Sequence, residues 1–138
     1  MKMKISRVIA RDPKVQQAYH EHLARLDSQY GGDMPCPLCS AAERQVVEET
    51  DEMLVVVNDF PYNIYDGRSV LRHMMIVPKR HEPLFAGFSD KEKAEYWGLV
   101  VKYHEAGFAN MTRSAVDAYR SIPDHLHTHL FYYADDQV

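Results

Sequence analysis

The segment His125–Leu130, with the sequence HLHTHL, carries an imidazole at every second residue. Alternate residues of a strand point to the same face, so this spacing predicts a strand with three histidines on one face and packing residues on the other. At a rise of about 3.3 Å per residue, the first and third imidazoles would lie roughly 13 Å apart, too far to bind one metal ion. We therefore predict divided roles for the three rings, in preference to three ordinary structural histidines.

Length and composition limit the class of protein around this segment. The chain has 138 residues, 46% of them hydrophobic, and no visible repeat, which predicts a single domain over 1–138 with a helical extension over 1–33 and a core over 34–138. A net charge of -4 with mixed signs argues against a nucleic-acid polymer as partner, since such binding needs a concentrated basic surface. The longest apolar run, 53–57, is too short to cross a bilayer, and 1–11 lacks the apolar core of a signal peptide. We expect a cytoplasmic protein without a membrane segment.

The first predicted helix covers 13–30, where apolar residues recur at helical spacing. Asp12 is the candidate N-cap, and Gly31 is the predicted stop. We interpret this helix as an appendage to the core. The sequence assigns no function to its two histidines, His20 and His22, which have the character of solvated helix residues.

A second, longer helix is predicted to follow the capping-box sequence Ser89–Glu92 and to end near Gly107. Its predicted packing stripe consists of Ala94, Trp97, Val100, Val101 and His104. This apolar stripe, with its tryptophan, is one reason to expect a homodimer.

Short β-branched runs bounded by turn residues predict the strands. They comprise a pair over 44–50 and 52–58, a strand over 71–77 that ends at Pro78, and a second pair over 113–120 and 125–133. The arrangement that follows is an α+β fold with an antiparallel sheet of about five strands and a long helix packed on it.

Cys36 and Cys39 form a C-x-x-C pair, which presents two thiolates to one zinc ion but supplies half of a tetrahedral site. The alternative is a redox dithiol of the thioredoxin type. Such a dithiol follows a strand and opens a helix, whereas this pair follows the turn-rich segment 31–35. We therefore favour zinc over redox chemistry.

The sequence resembles the histidine triad (HIT) family of nucleotide hydrolases and transferases. The resemblance rests on the triad segment 125–131, the C-x-x-C pair, and the segments 58–63 and 73–81, which occur in the family's order. It implies the HIT-like fold, a homodimer, and a structural zinc ion held by Cys36, Cys39, His81 and His125. Thr128 stands where the family pattern has an apolar residue.

The middle histidine is the predicted nucleophile. A neutral imidazole is nucleophilic at pH 7 when a backbone carbonyl holds its Nδ1–H and leaves the Nε2 lone pair free. Attack of His127 on an α-phosphorus would form a nucleotidyl-histidine intermediate without a catalytic metal. His129 would stabilise the charge on the phosphate oxygens. Ser121 is either a hydrogen-bond donor to the phosphate or a residue of the turn at 123–124, and the two interpretations stay open.

Three residues are the predicted nucleoside contacts. The resemblance implies that Asn58, with Asp59, binds the ribose hydroxyls and that Phe60 contacts the base. The same residues also suit an ordinary turn. In the predicted loop 64–72, Arg68 and Arg72 either reach a polyphosphate or, as we prefer, face solvent.

Two classes of function remain. The first is an enzyme, a hydrolase or nucleotidyltransferase that attacks the α-phosphate of a nucleoside phosphoramidate, a dinucleoside polyphosphate or a nucleotide-linked ester. The second is a zinc-stabilised nucleotide-binding protein without significant turnover. The intact His127 favours the enzyme, because a binding protein has no need of the middle imidazole.

Overall fold

An antiparallel sheet forms the centre of the protein in the computed structural model, which describes residues 9–33 and 35–134. Residues 1–8, 34 and 135–138, at the edges of the predicted extension and core, lie outside the described residues. The helices and strands, in chain order, are α1 (Pro13–Tyr30), β1 (Val46–Glu49), β2 (Met53–Val57), β3 (Ile64–Tyr65), β4 (Arg68–Pro78), α2 (Asp90–Glu105), β5 (Ala109–Met111) and β6 (Thr128–Tyr133). The strand order is β1-β2-β4-β6-β5, and β3 pairs with the first residues of β4. The α+β prediction is confirmed.

Apolar residues cover both faces of the sheet. In β2 and β4 the side chains of Met53, Val55, Met74 and Ile76 join the core beneath α2, together with Leu126 and Leu130. Their strand neighbours Leu54, Val56, Met75 and Val77 pack on the opposite face against Leu38 and Ala41. This continuous apolar run is typical of a central strand that is buried on both sides. His129 lies on the face opposite α2, since its partner in the register is Met75.

The β1–β2 hairpin and the end of β4 at Pro78 agree with the sequence predictions. The predicted loop 64–72 is wrong, because β3 and the start of β4 form a second hairpin there. Its turn residues Asp66 and Gly67 both have positive φ, 55° and 70°, which is the conformation that an Asp-Gly hairpin turn requires. The dipeptide Asp66–Gly67 is therefore a hairpin signal within the segment that was predicted as a loop.

Helix α2 begins with the predicted capping box, in which Ser89 and Glu92 exchange hydrogen bonds. Glu92 is buried and also accepts hydrogen bonds from Arg80. The predicted packing stripe is partly wrong. Leu99, Val100 and Tyr103 are the buried apolar residues of α2, whereas Trp97 is 65% exposed, and Val101 and His104 are also exposed. The helix packs on the sheet through the face that carries its buried apolar residues. On that side Glu92 accepts a hydrogen bond from Arg80, and the hydroxyl of Tyr103 donates to Glu48.

Helix α1 has the predicted bounds, with Asp12 accepting a hydrogen bond from the backbone N–H of Lys14 and Gly31 at φ 58°. None of its residues is buried, so α1 contributes nothing to either core cluster. Neither described helix is both long enough and apolar enough to cross a membrane.

The predicted strand over 113–120 is wrong. Strand β5 ends at Met111, before the predicted segment begins. Gly107, at φ 96°, turns the chain directly from α2 into β5. Residues 114–120 instead form turns, in which Asp117 accepts a hydrogen bond from the backbone N–H of Tyr119 at 2.8 Å. Local side-chain hydrogen bonds of this kind compete with strand formation.

The predicted strand over 125–133 begins three residues later, at Thr128. Before it, the N–H of Leu126 donates to the carbonyl oxygen of Glu82 at 2.8 Å instead of joining the sheet. Within the strand the alternation is as predicted. His129 lies opposite Met75, and Leu130 lies opposite Met74 on the α2 side.

Candidate active site and metal-ligand cluster

A cavity of about 610 Å³ opens on the sheet face opposite α2. It is lined by side chains from the sheet, from the segments 35–37 and 119–124, and from α1. Five of the six predicted catalytic and nucleoside-binding residues line it, namely Asn58, Phe60, Ser121, His127 and His129. The ring centroids of the last two are 5.1 Å apart. The structure thus brings the proposed phosphate and nucleoside contacts into one cavity.

The hydrogen bond to Nδ1 defines the chemistry of His127. This nitrogen lies 3.0 Å from the carbonyl oxygen of His125, which can only accept, so Nδ1 carries the proton. The lone pair is therefore on Nε2. Burial lowers the pKa of His127, so its ring is neutral at pH 7. These are the protonation and the tautomer that a nucleophilic imidazole requires.

His129 has the opposite tautomer because of a buried chain of hydrogen bonds. The backbone N–H of Tyr62 donates to Nδ1 of His73 at 3.2 Å, so the neutral His73 ring carries its proton on Nε2. That Nε2–H donates to Nδ1 of His129 at 2.9 Å. His129 must then carry its proton on Nε2, where it is a hydrogen-bond donor. The cavity therefore contains an imidazole lone pair on His127 beside an imidazole N–H on His129.

His73 is the first residue of the segment 73–81, which carries part of the family resemblance, but no role was predicted for it. It is nevertheless 3% exposed and lies opposite Phe131 in the β4–β6 register, two residues from Met75, the partner of His129. Burial, followed by the positive charge of Arg11, lowers the pKa of His73 to about 3. Burial likewise holds the pKa of His129 well below its usual value. His73 and Met75 lie on the same face of β4, because alternate residues of a strand share a face. This spacing was the feature of the sequence that indicated a histidine on the cavity side.

The buried His73 is expected to make the protein less stable in acid. A histidine in the unfolded chain has a pKa near 6.5, so between pH 6.5 and about 3 the unfolded chain binds a proton that the folded protein does not. The free energy of unfolding therefore falls as the pH falls through this window. At pH 5 the loss from this residue is about 2 kcal/mol.

Urea denaturation of the wild type and of His73→Gln at pH 7.5 and pH 5.0 measures this contribution. The glutamine variant should lose less stability on acidification, because it has no titrating ring at this position. His104→Gln, on the exposed part of α2, is the matched control and should follow the wild type. The interpretation is wrong if His73→Gln and the wild type lose the same free energy between the two pH values.

The four predicted metal ligands lie together at one side of the cavity. One donor atom from each of Cys36, Cys39, His81 and His125 is within 4.8 Å of the other three. The Sγ of Cys39 is 3.2 Å from Nδ1 of His81 and 3.6 Å from Nδ1 of His125. Donor separations of about 3.3–3.8 Å are those of a tetrahedral site with Zn–S and Zn–N bonds. The cluster therefore fits a metal ion that prefers sulfur and nitrogen ligands.

The second hydrogen bond of His125 supports the same interpretation. Its Nε2 lies 2.8 Å from the carbonyl oxygen of Pro78, so Nε2 carries the proton and Nδ1 presents its lone pair toward the thiols. Burial and the neighbouring Cys36 raise the pKa of the Cys39 thiol. Two imidazole nitrogens beside the two thiols complete a set of four ligands, which favours a metal site over a dithiol.

The predicted nucleoside contacts differ in position. Asn58 lines the cavity and accepts a hydrogen bond from the backbone N–H of Phe60 at 2.8 Å, so it also serves the turn that the sequence allowed. Asp59 is absent from the cavity lining and pairs with Arg44 at 3.1 Å. Ser121 is exposed at the cavity edge. Neither Arg68 nor Arg72 lines the cavity, and their guanidinium groups lie over Tyr133 and Phe108.

Helix α1 forms part of the cavity wall and is therefore more than the appendage predicted from the sequence. The ring of Phe60 lies 5.2 Å from that of Tyr19 and 5.0 Å from that of His22. Leu23 and Leu26 line the cavity on the same side. The helical spacing of its apolar residues predicted this face of α1. Nothing in the sequence indicated that the face would pack against Phe60.

No family model matches the sequence, and no curated protein has significant similarity to it. Solved structures do share the fold. A HIT family hydrolase from Legionella pneumophila is 18% identical, with a TM-score of 0.52 over 70% of this chain and 90% of its own. A histidine triad nucleotide-binding protein from Candida albicans is 17% identical, with a TM-score of 0.54 over 70% and 73%. A HIT family protein from Bacillus anthracis is 18% identical, with a TM-score of 0.54 over 73% and 75%. This chain therefore has the fold of the histidine triad proteins.

Proposed function

We propose that this protein is a HIT-type nucleotide hydrolase or nucleotidyltransferase. The observation that carries the proposal is the pair of complementary tautomers in one cavity, the free Nε2 lone pair of His127 beside the Nε2–H of His129. A nucleophile and a charge-stabilising donor are the two groups that transfer of a nucleotidyl group needs. The structural relatives named as a hydrolase and as a nucleotide-binding protein support the same assignment.

In the first step, Nε2 of His127 attacks the α-phosphorus. A bond forms between this nitrogen and phosphorus, and the bond from phosphorus to the leaving group breaks with its electron pair on the leaving group, which takes up a proton from water. The hydrogen bond from Nδ1–H to the carbonyl of His125 stabilises the positive charge that develops on the ring. His129 donates its Nε2–H to a phosphate oxygen in the transition state.

In the second step, water or another acceptor attacks the phosphorus of the nucleotidyl-histidine. The new bond to oxygen forms, the bond to nitrogen breaks with its electrons returning to Nε2, and the acceptor loses its proton to water. Ser121 is proposed as a hydrogen-bond donor at the cavity edge during these steps. Asn58 is proposed to bind the ribose hydroxyls, and Phe60 to contact the base. Asp59 is proposed to act on the nucleotide indirectly, through Arg44.

Zinc is the proposed occupant of the cluster formed by Cys36, Cys39, His81 and His125. Four nitrogen and sulfur ligands leave no open position for water, so the ion would be structural and would supply no step of the reaction. The ion would connect the C-x-x-C segment 36–39 to the segment that carries His127 and His129.

The experiment that tests the proposed function is intact-protein mass spectrometry after incubation with adenosine 5′-phosphoramidate and with diadenosine tetraphosphate. We expect a covalent adenylyl adduct on His127 with at least one of them, and release of AMP on longer incubation. A protein that binds either nucleotide but forms no adduct and releases no AMP would instead be the zinc-stabilised binding protein.

A homodimer and a single domain over 1–138 remain proposals as well. The exposed Trp97 and the exposed Val101 on α2 support the dimer, since large apolar side chains at a helix surface are typical of interfaces. The expectation of a cytoplasmic protein stays a prediction.

A further inference from the structure

Three hydroxyl groups meet on the α2 side of the sheet, behind His127 and His129. The Oγ1 atom of Thr128 lies 2.9 Å from the hydroxyl oxygen of Tyr96 and 2.6 Å from Oγ1 of Thr112. Tyr96 belongs to α2, Thr112 follows the last residue of β5, and Thr128 is the first residue of β6. A hydroxyl can donate one hydrogen bond and accept two, so Thr128 can bond to both neighbours at once. We call these three residues the hydroxyl trio.

Thr128 is fully buried, and its neighbours on this face of the chain are apolar. Leu126 and Leu130, the alternate residues of the same segment, belong to the core cluster beneath α2. Burying a hydroxyl is costly unless it is hydrogen-bonded, whereas an apolar side chain of similar size would fill this space without that cost. Filling the core therefore does not explain the hydroxyl of Thr128, but its bonds to two other segments do.

His127 lies just outside the hydrogen-bonded ladder of the sheet. Strand β6 begins at the next residue, and the pairing of β5 with β6 ends opposite His129. The bond from Nδ1 of His127 to the carbonyl oxygen of His125 stays within one segment, so it orients the ring but does not fix that segment on the sheet. On the β5 side, the hydrogen bond between Thr112 and Thr128 continues the connection beyond the last ladder pair.

None of the trio residues is among the described residues that line the cavity, so they can affect a bound nucleotide only through other residues. Thr128 is the residue between His127 and His129, whose ring centroids lie 5.1 Å apart on the other face. A shift of the backbone at Thr128 would therefore move both rings relative to the phosphate. A misplacement of about 1 Å can lower a rate by about 100-fold, because attack requires an aligned nucleophile.

We propose that Tyr96, Thr112 and Thr128 are positioning residues of the reaction. Their hydrogen-bonded hydroxyls anchor the start of β6 to α2 and to the end of β5, and thereby hold Nε2 of His127 in line with the phosphorus. This inference rests on the proposed function. It assigns to the hydroxyl trio an effect on the rate of attack and none on the binding of the nucleotide. The same anchor limits the motion of the His127 ring when no substrate is bound.

The test measures single-turnover formation of the adenylyl adduct from adenosine 5′-phosphoramidate. Thr128→Val keeps the branched shape and loses the hydroxyl, so the rate should fall by about 10- to 100-fold while the Kd for AMP stays within about threefold. Thr128→Ser keeps the hydroxyl and should retain the rate within about threefold. Tyr96→Phe and Thr112→Val each remove one of the two bonds and should lower the rate by about three- to tenfold.

Tyr103→Phe is the matched control. Tyr103 lies on the same helix as Tyr96, and its hydroxyl donates to Oε1 of Glu48 at 2.8 Å, outside the cavity lining. Its Tm should fall about as much as that of Tyr96→Phe, whereas its rate should stay at the wild-type value. An equal loss of rate in these two variants, or a wild-type rate in Thr128→Val, would overturn the inference and leave the proposed function intact.

NMR spectra of the protein with isotope-labelled histidine decide the inference without turnover. In the wild type and in Tyr103→Phe, the unprotonated Nε2 of His127 should give one sharp signal. In Thr128→Val this signal should broaden or split, because the ring then samples more than one position. An unchanged signal in Thr128→Val would contradict the positioning role. If the wild type forms no adduct, the proposed function fails, and this signal alone decides whether the hydroxyl trio holds His127 in place.

Discussion

Replacing His127 with alanine is expected to lower kcat by about 10⁴-fold or more and to remove the nucleotidyl adduct. The reason is that Nε2 of this ring is the unprotonated nitrogen, whereas His129 presents its Nε2–H to the cavity. The ring of His127 is not among the metal-ligand cluster, so metal content should stay at the wild-type value. Its loss should also leave nucleotide affinity nearly unchanged. Single-turnover kinetics, adduct mass and metal analysis measure the three effects.

The neighbouring histidines provide the comparison. His129→Ala should lower kcat by about 10²–10³-fold and still form the adduct, as expected when a transition-state donor is lost. His104→Ala, on the exposed face of α2, should leave the rate unchanged. Turnover of His127→Ala at the wild-type rate would end the covalent mechanism, and the protein would then be a nucleotide-binding module.

Loss of the metal is expected to destabilise the whole fold. We expect one equivalent of zinc in protein purified without chelator. Apparent binding free energies of structural zinc are about 10–16 kcal/mol at neutral pH, and that energy is folding free energy when the ligands come from distant segments. The ligands here come from 36–39, His81 and His125. Chelation or Cys39→Ser should therefore lower the Tm by more than about 10 °C.

Calorimetry with metal analysis on the same samples tests this expectation. Ser40→Ala is the matched control, since Ser40 is adjacent to the cluster, is exposed and is not a member of it. His125→Ala should resemble Cys39→Ser in stability and metal content, in contrast to His127→Ala. Well under one equivalent of metal in the wild type, with an unchanged Tm after chelation, would contradict a structural zinc site.

Local interactions made much of the fold predictable. The Ser89–Glu92 capping box, the Asp12 cap and Pro78 each act within a few residues, and each element begins or ends where these residues predict. The strand predicted over 113–120 does not form, because Asp117 accepts a local hydrogen bond from the backbone N–H of Tyr119 and so stabilises a turn. The packed face of α2 was predicted only in part, because that face depends on which residues of the sheet the helix contacts.

The sequence by itself determined the spacing of His127 and His129, the C-x-x-C pair and the order of the segments, because residue spacing is a property of the local chain. Only the tertiary structure decided the partners of those residues. The register of β4 on β6 places His73 beside His129 and so sets the tautomer of the latter. The packing of α1 against Phe60 places Arg11 at the cavity, 49 residues along the chain from that ring. Such long-range pairings depend on contacts between distant segments, which no spacing in the sequence encodes.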